Sequence, residues 1–191
     1  PFDYPAGEKL TVRLVSESGV LLLAYTEEEP DYIHIPKDNK GIPLPDKIKT
    51  PMELVTAGQH LDQYRSPLYK PDIYYLEALR REPGFLPALK GLGEYYTRTQ
   101  AYEKALAYLD QAWNAECIYN QNPEDGTVGY MRGICLRQLG KIDEAYDALY
   151  RAAWSQNVIS PAMTALAAID GLRGDYAAML GHALGAMEKE S

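Results

Sequence analysis

Histidine, cysteine and excess basic charge are all scarce in this sequence, and so are long apolar runs. There are three histidines, His34, His60 and His182, and no two have the helical spacing of a metal-ligand pair. The two cysteines, Cys117 and Cys135, have no metal-like spacing and no histidine nearby in sequence, and two are too few for a disulfide scaffold. A pair of free thiols fits a reducing, cytoplasmic setting. Lys and Arg number 19 against 27 Asp and Glu, a net charge of -8. No basic stripe exists to meet a phosphate backbone, which argues against nucleic acid as a partner. No apolar stretch approaches the roughly 18 residues of a membrane-spanning helix, and no secretory signal is present, so no membrane partner is expected. The glycines are single, without a phosphate-cradling loop. These absences predict a chain that is not an enzyme and carries no cofactor and no metal. It begins Pro-Phe-Asp-Tyr without an initiator methionine, which suggests a piece of a larger protein.

What is present is the composition of a folded protein, 46% apolar and 24% charged, with sixteen tyrosines against two Phe and two Trp. Tyrosine suits half-buried helix surfaces and binding faces alike. Residues 9 to 26 read as a β-hairpin, so residues 1–26 are assigned to it. Leu10, Val12 and Leu14 alternate with Thr11, Arg13 and Val15, the period of a half-buried strand. Ser16-Glu17-Ser18-Gly19 supplies the turn, and Val20 to Tyr25 the second strand. Two strands alone are marginal in water, so the hairpin is expected to pack on the helices or on a sheet outside this chain. Residues 27–51, with Pro30, Pro36, Pro43, Pro45 and Pro51, read as a proline-rich linker that excludes regular helix and acts as a tether or crosses a surface.

From residue 52 to 191 the text turns helical and repeats. Gly133 to Ala167 and Gly140 to Gly174 are both 34 residues apart, the period of two-helix tetratricopeptide units. Gly93 to Gly133 is longer by an insertion around Asn120 to Gly126, which reads as a long connection or a binding loop. Small residues (Gly93, Ala105, Ala112; Gly133, Ala145, Ala152) recur against large ones (Tyr96, Tyr102, Leu109; Leu136, Ile142, Leu149), as close antiparallel helices require. Gly140 and Gly174 read as left-handed helix caps. In the last copy Met179 and Ala183 exchange the small and large roles. The count is eight helices, or about four hairpins, between residues 52 and 189.

These residues resemble the tetratricopeptide repeat family, over roughly the last 140 residues. The fold expected is all-α, an α-α superhelix of tetratricopeptide-type hairpins, with a short N-terminal β-hairpin and a Pro-rich linker. The resemblance implies a non-catalytic interaction scaffold whose first helices line a concave groove. By the register above the groove residues are Thr56, His60 and Tyr64; Lys90, Glu94 and Arg98; Tyr130, Ile134 and Gln138; then Thr164, Ala168 and Leu172. The partner-binding set is His60, Tyr64, Lys90, Glu94, Arg98, Tyr130, Ile134 and Gln138, with a protein or peptide as ligand, tyrosine as contact area, and Lys90 and Arg98 pairing acidic groups. Lys90 fits the basic clamp that some members use on acidic chaperone C-termini; Glu94, Tyr130 and Ile134 do not. A homo-oligomer is a further possible partner.

A narrower resemblance rests on Ala57-Gly58-Gln59-His60-Leu61-Asp62-Gln63-Tyr64, Tyr74 to Leu79, Asn122 to Gly126 and Leu139 to Ala148. It is similar to a group of large bacterial proteins in which an uncharacterised β-sandwich, akin to mutarotase and glycoside-hydrolase accessory folds, precedes a helical repeat tail. It implies, as the alternative function, a C-terminal accessory module of a carbohydrate-active protein, with any carbohydrate contact made by an upstream domain. An isolated fragment without hydrolase activity beside an intact protein that acts on glycans would separate this from the scaffold reading.

Overall fold

The computed structural model describes residues 9–27, 41–66, 68–120 and 122–188. The chain divides into two units, Pro1–Gly41 and Ile42–Ser191. His34 and Pro36, both in the expected linker, lie outside the described residues.

In the first unit, β1 (Thr11–Val15) pairs antiparallel with β2 (Leu21–Thr26), Thr11 opposite Thr26 and Leu14 opposite Leu23. Gly19 takes φ +82 in the turn, and Ser16 closes it through its backbone N–H to the Val20 carbonyl at 2.8 Å. The half-buried strand expected from alternation is not seen. Every residue of both strands is exposed, and a two-stranded sheet offers each strand only an edge of the other.

The second unit is built of eight helices among the described residues: α1 (Pro51–Gln63), α2 (Asp72–Arg81), α3 (Leu86–Arg98), α4 (Tyr102–Glu116), α5 (Thr127–Gln138), α6 (Ile142–Ala152), α7 (Ile159–Arg173) and α8 (Tyr176–Glu188). Each packs on the next, most extensively within the pairs α3–α4, α5–α6 and α7–α8, and α3 also touches α1 and α5. Helix α1 starts where its sequence says it should. Thr50 Oγ1 accepts from the Glu53 N–H at 3.2 Å, Glu53 Oε2 accepts from the Thr50 N–H at 3.1 Å, and Pro51 occupies the first helical position.

The repeat unit begins ahead of α1. Residues 42–50, read from the sequence as linker, contain one 3-10 turn (Pro45–Lys47) and are held by α2. The Arg81 guanidinium donates to the carbonyls of Ile48 (2.6 Å), Lys49 (3.0 Å) and Pro45 (2.9 Å), while its Nε donates to Glu77 at 2.7 Å. Tyr74 donates its hydroxyl to the Pro43 carbonyl at 3.0 Å. Prolines leave these carbonyls without a regular ladder, and a forked cation satisfies several at once.

Glycine notches set how closely the helices approach. A side chain on Gly133 would put its Cβ 2.5 Å from Leu149 Cγ, and Leu109 crowds Gly93 in the same way one unit earlier. In the last hairpin the pair moves one turn along both helices: Gly171 is small and Met179 large, with 3.1 Å between a Cβ there and the sulfur. An antiparallel pair keeps its level when one partner shifts forward and the other back by a turn, which accounts for the exchanged roles of Met179 and Ala183. Gly140 and Gly174 adopt the expected positive φ of +78 and +77. The same position in the two earlier hairpins carries Arg65 (φ 48) and Gln100 (φ 62), so all four turns are left-handed.

Candidate functional site: the face of the first helices

Helices α1, α3, α5 and α7 are the first of each hairpin, and the expected groove residues sit on them as follows. On α1, His60 and Tyr64 are exposed, with ring centroids 4.5 Å apart, and Tyr64 forms the helix C-cap. Together with Thr56, His60 also lines a cleft of about 700 Å³ bounded by Met52, Ile42 and Ile48. On α3, Glu94 is exposed and Arg98 donates to Asp62 of α1, its guanidinium 5.8 Å from the Tyr95 ring centroid. On α5, Gln138 is exposed, whereas Tyr130 and Ile134 are half-buried against the cluster containing Leu136, Leu149 and Leu166. On α7, Thr164, Ala168 and Leu172 are exposed, and Thr164 Oγ1 donates to the Ser160 carbonyl at 2.9 Å.

Lys90 is engaged within the fold. Its Nζ donates to Glu116 Oε1 at 3.0 Å and to Asp125 Oδ2 at 2.5 Å. Burial pulls the Lys90 ammonium down, but the bonds from Asp125 and Glu116 outweigh it and hold its pKa above the ordinary lysine value. Asp125 shows the converse. Burial pushes it up, and hydrogen bonds from Lys90, the Thr127 backbone and Asn157 carry it well below the usual carboxylate range. Glu116 Oε2 is buried without a hydrogen-bond partner.

The structure thus brings His60, Tyr64 and the Arg98–Asp62 pair onto neighbouring helices, and ties Lys90 to the end of α4 and the start of α5. Tyr75, on α2, reaches this region from behind. Its ring fills notches on both α1 and α3, where a Cβ at Gly58 or Gly91 would lie 2.7 Å from Cε1. Burial, with Glu94 nearby, pushes its phenol up to about 12.

Two further constellations stand outside the expected binding set. The insertion loop carries part of a cleft of about 600 Å³ shared with residues 154–157, and Trp154 lines it. In the last hairpin, buried Asp170 meets His182 Nδ1 at 2.6 Å, with the Tyr146 ring 6.2 Å from that of His182. The insertion around Asn120 to Gly126, read from the sequence as a long connection or a binding loop, is the local signal for the first, and Trp154 is not part of that reading. Nothing local announces the second, whose members sit on different helices. Neither thiol is in a disulfide: Cys135 is buried, with Sγ 3.3 Å from Thr97 Oγ1, and burial pushes both thiols up. Among the described residues no group of three His, Cys, Asp or Glu is arranged to hold a metal ion. No described helix is long and apolar enough to cross a membrane.

No known family model matches the chain. Among solved structures it is similar to MamA. The MamA of MSR-1 is 21% identical, with a TM-score of 0.62 over 76% of this chain and 79% of that one. MamA from Desulfovibrio magneticus RS-1, residue 41 to the end, is 19% identical, with a TM-score of 0.61 over 73% of this chain and 75% of that one. A further MamA crystal structure gives 16% and 0.63, over 73% and 78%. At such identities the likeness is one of fold: the chain is an α-α superhelix of tetratricopeptide-type hairpins preceded by a short β-hairpin.

Proposed function

We propose that this chain is a protein-interaction scaffold that binds an extended segment of a protein partner along the face of α1, α3 and α5. The observation that supports this best is the cleft on α1. Thr56 and His60, placed on the binding face from sequence register alone, line an open cleft of about 700 Å³ with the apolar side chains of Met52, Ile42 and Ile48. An apolar side chain of the ligand enters there, and His60, Tyr64, Glu94 and Gln138 contact the chain that follows. Tyr130 and Ile134 form the apolar floor at α5. Lys90 and Arg98 act as paired cations: Arg98 keeps α1 and α3 in register through Asp62, and Lys90 anchors the start of α5 through Asp125. The test is selection of peptides from a display library on the intact chain, followed by hydrogen exchange with a selected peptide bound. Protection on 52–64 and 90–98, lost on combining His60→Ala and Tyr64→Ala while the melting temperature holds, supports the proposal. Peptides that protect only α2, α4 or α6 contradict it.

A specific feature also favours self-association. Helix α8 exposes Tyr176, Leu180, Leu184 and Met187, and carries no Asp, Glu, Lys or Arg between Tyr176 and Met187. Beside this ridge lie Gly181 and Gly185, whose Cβ positions have nothing within 4 Å, whereas the glycines inside α1, α3, α5 and α7 are filled by a neighbour. A surface bearing both ridge and notch can pair with its own copy about a two-fold axis, and an uncharged face lets chains of net charge -8 approach. Sedimentation should show a dimer that Leu180→Glu with Leu184→Glu converts to monomer. A wild-type chain that stays monomeric removes this reading.

A further inference from the structure

We propose that the cleft at Trp154 is a second binding site, one that takes an arginine or lysine side chain of a basic peptide. The chain holds two tryptophans, and they differ in one respect. Trp113 is buried, and the Arg151 guanidinium lies 4.6 Å from its ring centroid. Trp154 is 71% exposed, and none of the described cation–π pairs includes it. An exposed indole on a loop forfeits most of what its burial would contribute, which makes a ligand platform the natural use for it.

The cleft of about 600 Å³ is lined by Trp154 and Pro123 with Glu124, Asp125, Gln156 and Asn157, and among the described residues no Lys or Arg lines it. An exposed carboxylate at the rim, Glu124, disfavours phosphate and carboxylate ligands. A guanidinium or ammonium gains twice, from the indole face and from the acidic rim. Lys90 already engages Asp125, so Glu124, exposed at the rim, is the carboxylate that meets the incoming cation. The acidic chain as a whole draws basic segments toward it.

The walls are held in place before any ligand arrives. Ser155 Oγ donates to the Pro123 carbonyl at 3.0 Å, and Asn157 Nδ2 donates to Asp125 Oδ1 at 2.8 Å. The Gly126 N–H donates to Asn157 Oδ1 at 3.2 Å, and a Cβ on Gly126 would lie 2.5 Å from Val158 and 2.6 Å from Ser155. The insertion loop is therefore fastened to the loop after α6 by side-chain bonds and by a glycine close approach. Preformed walls spare the ligand the ordering cost that a loose loop would impose. The site involves none of the residues assigned to the face of α1 and α3, apart from the anchoring Lys90, and stands independently of that reading.

The test follows the two indole N–H signals of the full chain by NMR, assigned with Trp154→Phe. An alternating glycine–arginine octapeptide is expected to shift the Trp154 signal and leave that of Trp113 in place. Its affinity should fall about tenfold in Trp154→Ala and severalfold in Glu124→Gln, the size of a desolvated cation–π contact and of a rim charge pair. It should weaken as salt rises from about 0.05 to about 0.3 M. Both positions are exposed, so circular dichroism should show both variants folded. A neutral glucan oligosaccharide and a glycine–glutamate octapeptide serve as the other arms. A Trp154 shift with the oligosaccharide and none with the arginine peptide overturns the proposal in favour of a saccharide site. Unchanged arginine-peptide affinity in both variants, or no shift at about 10 mM peptide, also overturns it.

Discussion

The ring of Tyr75 occupies the space that a side chain on Gly58 would need, with 2.7 Å between a Cβ there and Cε1. Gly91 on α3 makes the same allowance, so one ring is seated in two helices. Gly→Ala in an open helix is stabilising by up to about 1 kcal/mol, whereas overpacking a tight core costs about 1–3 kcal/mol. Gly58→Ala and Gly91→Ala should therefore each lower stability in urea by roughly 1–2 kcal/mol. Gly181→Ala, where nothing lies within 4 Å, should raise it by up to about 1 kcal/mol.

The left-handed hairpin turns give a second contrast. Gln100 holds φ 62 where the later hairpins place Gly140 and Gly174. A non-glycine residue in this region costs about 1–2 kcal/mol, partly offset because glycine loses more freedom on folding. Gln100→Gly should raise the urea midpoint by about 0.5–1 kcal/mol equivalent, and Gly140→Ala should lower it.

Arg81 should be irreplaceable by lysine. Its guanidinium meets three carbonyls of the segment before α1, and an ammonium cannot reproduce that fork. Arg81→Lys should speed hydrogen exchange in 42–50 selectively and cost about 2 kcal/mol.

The same clamp has a pH signature. Hydrogen bonds from Arg80 and then Arg81 hold the Glu77 carboxyl at about 2, below its ordinary 4.5. A carboxylate whose pKa is depressed on folding contributes stability above its unfolded value and loses it as pH falls through the folded one. The contribution should be complete above about 4.5 and fade toward about 2, and a carbon-detected titration of Glu77 should place its midpoint below those of free glutamates.

In the last hairpin, Asp170 is 3% exposed and its Oδ2 meets His182 Nδ1 at 2.6 Å. Removing one partner of a buried pair under-satisfies the other, and here the Tyr146 hydroxyl is left as the remaining partner of Asp170. His182→Ala should cost about 3 kcal/mol in thermal or urea melts, and Asp170→Asn with His182 retained should cost less, since an amide can still bond the imidazole.

Much of the array is legible in the sequence because each hairpin repeats the same local demand. Gly93 with Leu109 and Gly133 with Leu149 state the small-against-large rule twice, and Gly140 and Gly174 announce their turns by residue type. The first hairpin obeys the same geometry with Arg65 in the left-handed position, a residue that gives no such notice. Register alone also places His60, Tyr64, Glu94 and Gln138 at exposed positions. It does not supply partners. Lys90 meets Glu116 and Asp125, and Arg98 meets Asp62, through contacts between helices far apart in sequence, so positions that face outward by periodicity turn out to be engaged. Residues 42–50 read as linker for the same reason: their hold on the fold comes from Arg81, more than thirty residues later.

The most direct test of the binding face is photo-crosslinking with a benzophenone side chain at Tyr64, on α1, compared with Tyr150, an exposed tyrosine on α6. A display-selected peptide should crosslink at Tyr64 and not at Tyr150, and His60→Ala should weaken the adduct. Equal labelling at both positions, or labelling at Tyr150 alone, would contradict a binding face on the first helices.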